Sequence, residues 1–226
     1  MAKRQFIPNQ IFIGLPWQLG AKYDRVIAKL HAKYPLYFTI VGRRDAQDAV
    51  NLFDVIKERI ETSSYGIFDA TGGNANVSLE FGYAEGIEVP RMITLSSHRS
   101  AQKHTKATPI ISDLVGMRRA QYTNEEKLFS VLERFCKDHD YTQRFEKALA
   151  KMGRGINRGE KKAARAASLK AVRALDAKSK IRRAELVQHL EAKGYETDEV
   201  EWVLKQLHNT KVIRVTVGKY SEVSLV

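Results

Sequence analysis

Apolar and polar residues alternate in blocks along the first 150 residues, and the blocks predict strands that alternate with helices. Short apolar runs that end in glycine or polar residues are typical of buried strands. Apolar residues three or four positions apart between these runs predict amphipathic helices. The predicted strands cover residues 10–14, 36–41, 65–70, 91–95 and 119–122, and the predicted helices cover 22–33, 46–62, 76–86 and 124–151.

Strands that alternate with helices favour a mainly parallel sheet with right-handed crossovers. Five such units in about 120 residues match the size of a flavodoxin-like fold, in which helices cover both faces of the sheet. We therefore expect an α/β domain over residues 1–150, with a flavodoxin-like parallel sheet sandwiched by helices.

The rest of the chain follows another pattern. Gly153, Gly155 and Gly159 mark a break in composition. Three helical segments then precede two short strands at 212–217 and 221–226. This order is typical of a winged helix, a variant of the helix-turn-helix motif. We expect a basic linker over residues 151–168 and a small C-terminal winged-helix domain over 169–226.

Composition excludes several classes of protein. The chain has 226 residues, of which 43% are hydrophobic, as is ordinary for a globular protein. Its single cysteine, Cys136, excludes an internal disulfide and fits a reducing compartment. No apolar run reaches the length of a membrane span, so we expect a cytoplasmic protein without a membrane partner. The six histidines show no spacing typical of a metal site, and no cofactor is indicated. The sequence does not decide between a monomer and a homo-oligomer.

The positive charge is concentrated in one segment. The whole chain carries a net charge of +12, and residues 151–183 hold twelve lysines and arginines against two acids. Such a segment indicates either a polyanionic partner or a solvated, lysine-rich linker. Acids at the start of the third C-terminal helix disfavour base reading, so the tail would grip a nucleic-acid backbone or dock a protein. The candidate contact residues are Arg173, Lys180, Arg182 and Arg183.

Candidate chemistry gathers where the third strand passes into the next helix. Asp69 stands at the carboxyl end of that strand, the edge at which open α/β sheets bind ligands. A loop with Gly72 and Gly73 follows. Asn76 and Glu80 lie four residues apart, so they share one helical face and can point into one pocket. In the alternative interpretation, Asp69 and Asn74 merely cap the helix and Glu80 is an exposed acid.

Two other strand ends reach the same edge of the predicted sheet. Arg43 and Arg44 follow the second strand and can hold a phosphate, or lie in a solvated turn. Gly14 and Pro16 end the first strand, and Trp17 comes next. Trp17 and Tyr23 can stack on a base, or pack a helix onto the sheet.

The stretch Asn74-Ala-Asn-Val-Ser-Leu-Glu-Phe-Gly-Tyr-Ala84 resembles the signature of the nucleoside 2-deoxyribosyltransferase-like family and of related TIR-like nucleotide-binding domains. Ala75 stands where that signature has proline. The resemblance extends over roughly residues 8–140 and includes Gly14-Leu-Pro16. It implies chemistry at an N-glycosidic bond, with Glu80 attacking or stabilising the anomeric carbon and Asp69 orienting the sugar or leaving base.

Three functions are compatible with this resemblance. The first is an N-glycosidase that removes the base from a nucleotide such as NAD, and the second is a transferase that exchanges bases between deoxynucleosides. The third is a non-catalytic nucleotide sensor whose tail contacts nucleic acid or protein. The layout is also similar to retron effector proteins, which implies a toxic nucleotide hydrolase in anti-phage defence, held by a reverse transcriptase and its RNA–DNA hybrid.

Overall fold

The computed structural model describes residues 5–41, 52–97, 119–154, 157–176, 180–218 and 220–226. The strands are β1 Ile7–Gly14, β2 Tyr37–Thr39, β3 Ser63–Asp69, β4 Arg91–Ser96, β5 Arg119–Tyr122, β6 Ile181–Arg182, β7 Ile213–Val215 and β8 Glu222–Leu225. The helices are α1 Gly20–Lys33, α2 Leu52–Glu61, α3 Ala75–Gly86, α4 Glu125–Asp138, α5 Asp140–Met152, α6 Arg158–Arg173, α7 Arg183–Glu191 and α8 Thr197–Asn209, with one 3-10 turn at Trp17–Leu19.

The chain divides into two compact units. The first contains Met1–Phe6, Gln10–Lys33 and Phe38–Cys136, and the second contains Ile7–Asn9, Tyr34–Tyr37 and Lys137–Val226. The predicted division into residues 1–150, 151–168 and 169–226 stays a prediction. Helix α6 begins inside the predicted linker, because Asn157 and Glu160 cap its first turn through reciprocal hydrogen bonds.

A five-stranded parallel sheet with flanking helices confirms the predicted α/β, flavodoxin-like fold. The strand order is β2-β1-β3-β4-β5, with Asp69 beside Thr94 in the β3–β4 pairing. The order of the strands reverses between β1 and β3. In open α/β sheets, the crevice at the carboxyl ends of two such strands is the usual ligand site.

Helix α3 is fixed over the sheet by an aromatic cluster. Phe68 of β3 lies 5.8 Å from Phe12 and 5.5 Å from Phe81, measured between ring centres. The buried positions of α3 are Val77, Glu80, Phe81 and Ala84, which is the spacing of an apolar stripe. A glutamate therefore occupies one position of the face that α3 packs against the core.

The second unit contains a small antiparallel sheet with the order β6-β8-β7. Its helices include α8, whose buried residues Val200, Val203, Leu204 and Leu207 form an apolar stripe. Three helices and a hairpin follow one another in the predicted order, and their interpretation as a winged helix stays a prediction.

The helix predicted over residues 124–151 is wrong in one respect, since it consists of two helices. Between α4 and α5, His139 has an extended backbone, and its Nδ1 accepts a hydrogen bond from the Tyr141 amide at 3.2 Å. Burial lowers the pKa of His139 to about 4, which keeps the ring neutral and able to accept. The apolar spacing continues on both sides of this cap, so the hydrophobic pattern alone concealed it.

Among the described residues, no helix is long and apolar enough to cross a membrane.

Candidate active site

A cavity of about 640 Å³ opens at the carboxyl end of β1, next to the first turns of α3. Its size suits a small organic ligand. The lining residues are Phe12, Ile13, Gly14, Leu15, Trp17, Gln18, Val41, Leu52, Ile56, Asn74, Asn76 and Glu80. Five of the predicted site residues therefore border one space: Gly14, Trp17, Asn74, Asn76 and Glu80.

Glu80 is the single acid among the described residues that line this cavity. Its side chain is buried, with 9% of the residue exposed, and its Oε2 atom accepts no hydrogen bond from any described residue. Buried polar atoms in proteins are nearly always hydrogen-bonded, so an orphaned carboxylate oxygen requires an explanation. The alternative interpretation of Glu80 as an exposed acid is therefore wrong.

Burial changes the acidity of this carboxyl group. Loss of hydration disfavours the charged form and raises the pKa of Glu80 to about 7. A carboxylate of this kind is poorly solvated and close to half ionised at neutral pH. Perturbed acids beside a cavity are typical of functional sites.

The approach to α3 is shaped by its loop. Gly72 and Gly73 both have positive φ, at 78° and 60°, which side-chain-bearing residues rarely adopt. Asn74 then caps the helix, since its side-chain oxygen accepts from the amides of Asn76 at 2.9 Å and Val77 at 3.3 Å. The capping interpretation thus holds for Asn74, which also borders the cavity.

Asp69 is placed differently from Glu80. It is fully buried, and it is not among the residues that line the cavity. Its Oδ2 accepts hydrogen bonds from the hydroxyls of Tyr23 and Tyr122, both at 2.7 Å, and its Oδ1 accepts from the Thr71 amide at 2.9 Å. This carboxylate joins α1, β5 and the loop after β3 into one polar cluster.

The two tyrosines of this cluster are neutral donors. Burial, followed by the nearby Asp69 charge, raises the pKa of both Tyr23 and Tyr122 well above the ordinary value. Tyr23 is fully buried, so the packing interpretation holds for it and the base-stacking interpretation is wrong. Trp17 has 48% of its surface exposed and borders the cavity.

The remaining predicted residues of the site fall outside it or outside the description. Pro16 is buried, and its carbonyl accepts from the Leu19 amide at 2.8 Å in the 3-10 turn. Arg43 and Arg44 lie outside the described residues. Sequence reasoning missed Gln18 and the apolar wall of Val41, Leu52 and Ile56. Gln18 follows directly on Trp17 in the 3-10 turn after β1, and that position was the available signal.

Within the described ranges, no group of three histidine, cysteine, aspartate or glutamate residues could hold a metal ion. The described residues that line the cavity offer one carboxylate and three side-chain amides.

The predicted contact residues in the second unit are largely engaged within that unit. Lys180 pairs with Glu222 at 3.1 Å, and Arg183 pairs with Glu201. The guanidinium of Arg182 lies 5.6 Å from the centre of the Tyr220 ring. Arg173 is half-buried, and its pKa is lowered by that burial. Their role in nucleic-acid or protein contact stays a prediction.

The chain matches no family model and no curated protein. Among solved structures, it is similar to a 2-desoxiribosyltransferase from Leishmania mexicana, with 18% sequence identity and a TM-score of 0.45. The match covers 58% of this chain and 99% of that chain. A similarity of this degree assigns no activity.

Proposed function

We propose that this chain is an enzyme that transfers the sugar of a nucleoside or nucleotide from its base to an acceptor, with Glu80 as the nucleophile. The observation that carries the proposal is the Oε2 atom of Glu80, which is buried, unpartnered among the described residues and next to the cavity. A buried carboxylate without hydrogen bonds is costly for the fold. Its presence is explained if a cationic sugar carbon becomes its partner during the reaction.

The proposed reaction proceeds in two displacements. A Glu80 carboxylate oxygen forms a bond to the anomeric carbon while the carbon–nitrogen bond breaks, and that electron pair leaves with the base, which takes up a proton. An acceptor then attacks the same carbon and loses its own proton, and the ester oxygen recovers its electrons. Both steps pass through an oxocarbenium-like state that a close carboxylate stabilises.

The lining of the cavity suits an amphipathic ligand of this class. Val41, Leu52 and Ile56 form an apolar wall, and the half-exposed indole of Trp17 can stack on a base. Asn76 lies one turn before Glu80 on the same helix and borders the same space. An amide there can bind a sugar hydroxyl close to the reacting carbon.

Two acceptors define two versions of the proposal. A second base as the acceptor gives a nucleoside 2-deoxyribosyltransferase, whereas water gives an N-glycosidase acting on a nucleotide such as NAD. The transferase version needs no activated water, and it is the first to test. Two further ideas stay predictions: a role as a toxic effector in anti-phage defence, and a reverse transcriptase as partner. No contact among the described residues bears on either of them.

Asp69 is proposed as a positioning residue in this enzyme. Its three hydrogen bonds are made to Tyr23, Tyr122 and Thr71 within the chain. In that role Asp69 holds the strand end and loop from which α3 departs, and thereby orients the site without touching the substrate.

Mass spectrometry of the products tests the proposal. Purified protein is incubated with mixed deoxynucleosides, ribonucleosides and NAD, with and without a second free base. New nucleosides that appear only with the second base indicate transfer, free base without it indicates hydrolysis, and tight binding without products indicates a sensor. A nucleoside whose sugar carries fluorine at C2 should leave that sugar on the Glu80 peptide, because the fluorine destabilises the oxocarbenium-like state through which the ester must break down.

The matched control is Glu85→Gln, which makes the same change on the same helix at an exposed glutamate. Glu85→Gln should keep full activity and Glu80→Gln should lose it. The pH profile is a further check. Because the pKa of Glu80 is raised to about 7 and the nucleophile must be ionised, activity should fall as the pH drops below 7.

A further inference from the structure

Gly14 ends β1 directly against the side chain of Glu80. A Cβ atom added at Gly14 would stand 2.3 Å from Glu80 Oε2, 2.8 Å from Cδ1 of Phe68 and 3.3 Å from Cε1 of Phe12. The first two distances are shorter than any tolerated contact of a side-chain carbon. The carboxylate tip therefore occupies the space that a side chain at position 14 would need.

The backbone does not require glycine at this position. Gly72 and Gly73 have positive φ, but Gly14 does not lie in that left-handed region. Any residue could adopt the main-chain conformation of Gly14. The requirement for glycine here is one of space alone.

Of the neighbours that an added Cβ would meet, the Glu80 tip is the one able to move. The ring of Phe68 is 1% exposed and is wedged between Phe12 and Phe81 in the core. Glu80 Oε2, by contrast, has no hydrogen bond to a described residue and ends a flexible side chain beside an open cavity. The tip lies against Gly14, in the space where a Cβ atom would stand.

We propose that Gly14 is a positioning residue for Glu80, because its missing side chain forms the apolar recess that holds the carboxylate tip at the edge of the cavity. The catalytic consequence of this role rests on the proposed function. The recess is bounded by the Gly14 backbone and by the apolar rings of Phe68 and Phe12. Oε2 accepts no hydrogen bond there from a described residue.

A methyl group at position 14 would push the carboxylate out of this recess into the cavity. Burial is the cause of the raised pKa of Glu80, and no other titratable residue is among the described residues lining the cavity. A displaced carboxylate would regain water, and its pKa would fall toward the ordinary value of 4.5. It would also leave the position from which it reaches the anomeric carbon.

The experiment compares Gly14→Ala with Gly82→Ala. Gly82 lies on the same helix as Glu80, and an added Cβ there meets nothing within 4 Å. The pKa of Glu80 is measured by carbon NMR of glutamate-labelled protein, with its signal assigned by its loss in Glu80→Gln. Gly14→Ala should lower that pKa by about one unit or more, since re-exposure removes the desolvation, and Gly82→Ala should leave it unchanged.

Kinetics give a second readout. A nucleophile displaced by about 1 Å typically costs about 10²-fold in rate. We therefore expect kcat to fall about 100-fold in Gly14→Ala, and we expect this fall to be larger than the rise in KM. A shorter acid vacates the recess, so Gly14→Ala should cost less when it is added to Glu80→Asp, where only the contacts with the Phe68 and Phe12 rings remain. The two substitutions would then be strongly non-additive.

Each outcome decides the proposal. An unchanged pKa of Glu80 in folded Gly14→Ala, an equal shift in Gly82→Ala, or additive effects with Glu80→Asp would overturn it. If Gly14→Ala unfolds, the double variant Gly14→Ala/Glu80→Asp decides the question. A folded double variant supports the proposal. An unfolded double variant means that the destabilising clash is with Phe68, and it refutes the proposal. Because the NMR measurement needs no substrate, a shifted pKa without any turnover would refute the proposed function while the positioning role stands.

Discussion

Two carboxylates at one edge of the sheet have opposite surroundings. Asp69 and Glu80 are both buried, with 0% and 9% of their surfaces exposed. Asp69 accepts three hydrogen bonds, two of them from tyrosine hydroxyls at 2.7 Å. The Oε2 of Glu80 accepts none from the described residues and lies beside a cavity.

This difference separates a carboxylate whose partners lie within the chain from the one that we propose for the chemistry. Removing a charge from water is unfavourable unless hydrogen bonds or an opposite charge replace the lost hydration. The partners of Asp69 supply that replacement within the chain. Glu80 lacks it, and its pKa is raised to about 7 as a result. An unsatisfied, perturbed acid beside a cavity is the stronger candidate for catalysis.

The largest expected effect is the loss of activity in Glu80→Gln. The amide is nearly isosteric with the carboxylate, but it neither attacks the anomeric carbon nor neutralises a developing sugar cation. We expect kcat to fall by about 10³-fold or more, as is typical for a catalytic carboxylate. Product release from a verified substrate is measured beside the exposed control Glu85→Gln. Near wild-type turnover in folded Glu80→Gln would show that Glu80 is not the nucleophile.

The next effect is a loss of stability in Asp69→Ala. Without this acceptor, the hydroxyls of Tyr23 and Tyr122 stay buried with one fewer partner each, so we expect the free energy of unfolding to drop by about 4 kcal/mol. Asp69→Asn keeps one acceptor oxygen and should cost less stability, with activity reduced by about 10²-fold. Urea denaturation and kinetics are measured on the same samples. If Asp69→Ala is as stable as the wild type, the hydrogen-bonded cluster does not support the fold.

The sequence could predict the α/β fold and the gathering of five candidate residues around one cavity, because both depend on local order along the chain. Strand ends and helix starts follow from apolar runs, glycines and caps. Residues at i and i+4 on α3, such as Asn76 and Glu80, necessarily share a face.

The surroundings of each carboxylate depend on distant residues, and the sequence did not reveal them. The tyrosines that satisfy Asp69 lie 46 and 53 positions away along the chain. For one of them, Tyr23, the sequence leaves both base stacking and packing open. The contact of Gly14 with Glu80 likewise joins two segments far apart in sequence.

The contrast between the two acids also predicts how stability varies with pH. The pKa of Glu80 is about 7 in the folded protein and near 4.5 when it is exposed, so folding favours its protonated form. The stability that protonated Glu80 contributes to the folded protein is therefore fully present below pH 4.5 and is lost as the pH rises through 7. Glu80→Gln removes this ionisation.

We expect Glu80→Gln to gain stability relative to the wild type by roughly 2 to 3 kcal/mol between pH 4.5 and pH 9, at about 1.4 kcal/mol per unit of pKa shift. Thermal or urea unfolding of both proteins across this range measures the gap, with Glu88→Gln, at an exposed glutamate just after α3, as the control that should show no such trend. A gap that stays constant with pH would mean that Glu80 is solvated in the folded protein.

The smallest expected effect concerns the cations of the second unit, where we again compare charged groups that are paired within the chain with groups that are not. Lys180 is paired with Glu222 and Arg183 with Glu201, so neither is fully available to a phosphate. If this unit binds nucleic acid through its backbone, Glu201→Gln with Glu222→Gln should raise affinity roughly two- to thirtyfold, because exposed ion pairs contribute about 0.2 to 1 kcal/mol each. The dependence of log affinity on log salt should steepen by up to about 0.9 for each freed cation on duplex DNA.

Fluorescence anisotropy with labelled RNA, DNA and hybrid over a salt series tests this expectation. In the same assay, Arg182→Gln should lower affinity for all sequences alike. Unchanged affinity in the double variant would show that the paired cations take no part, and no binding at low salt would indicate that the second unit docks a protein.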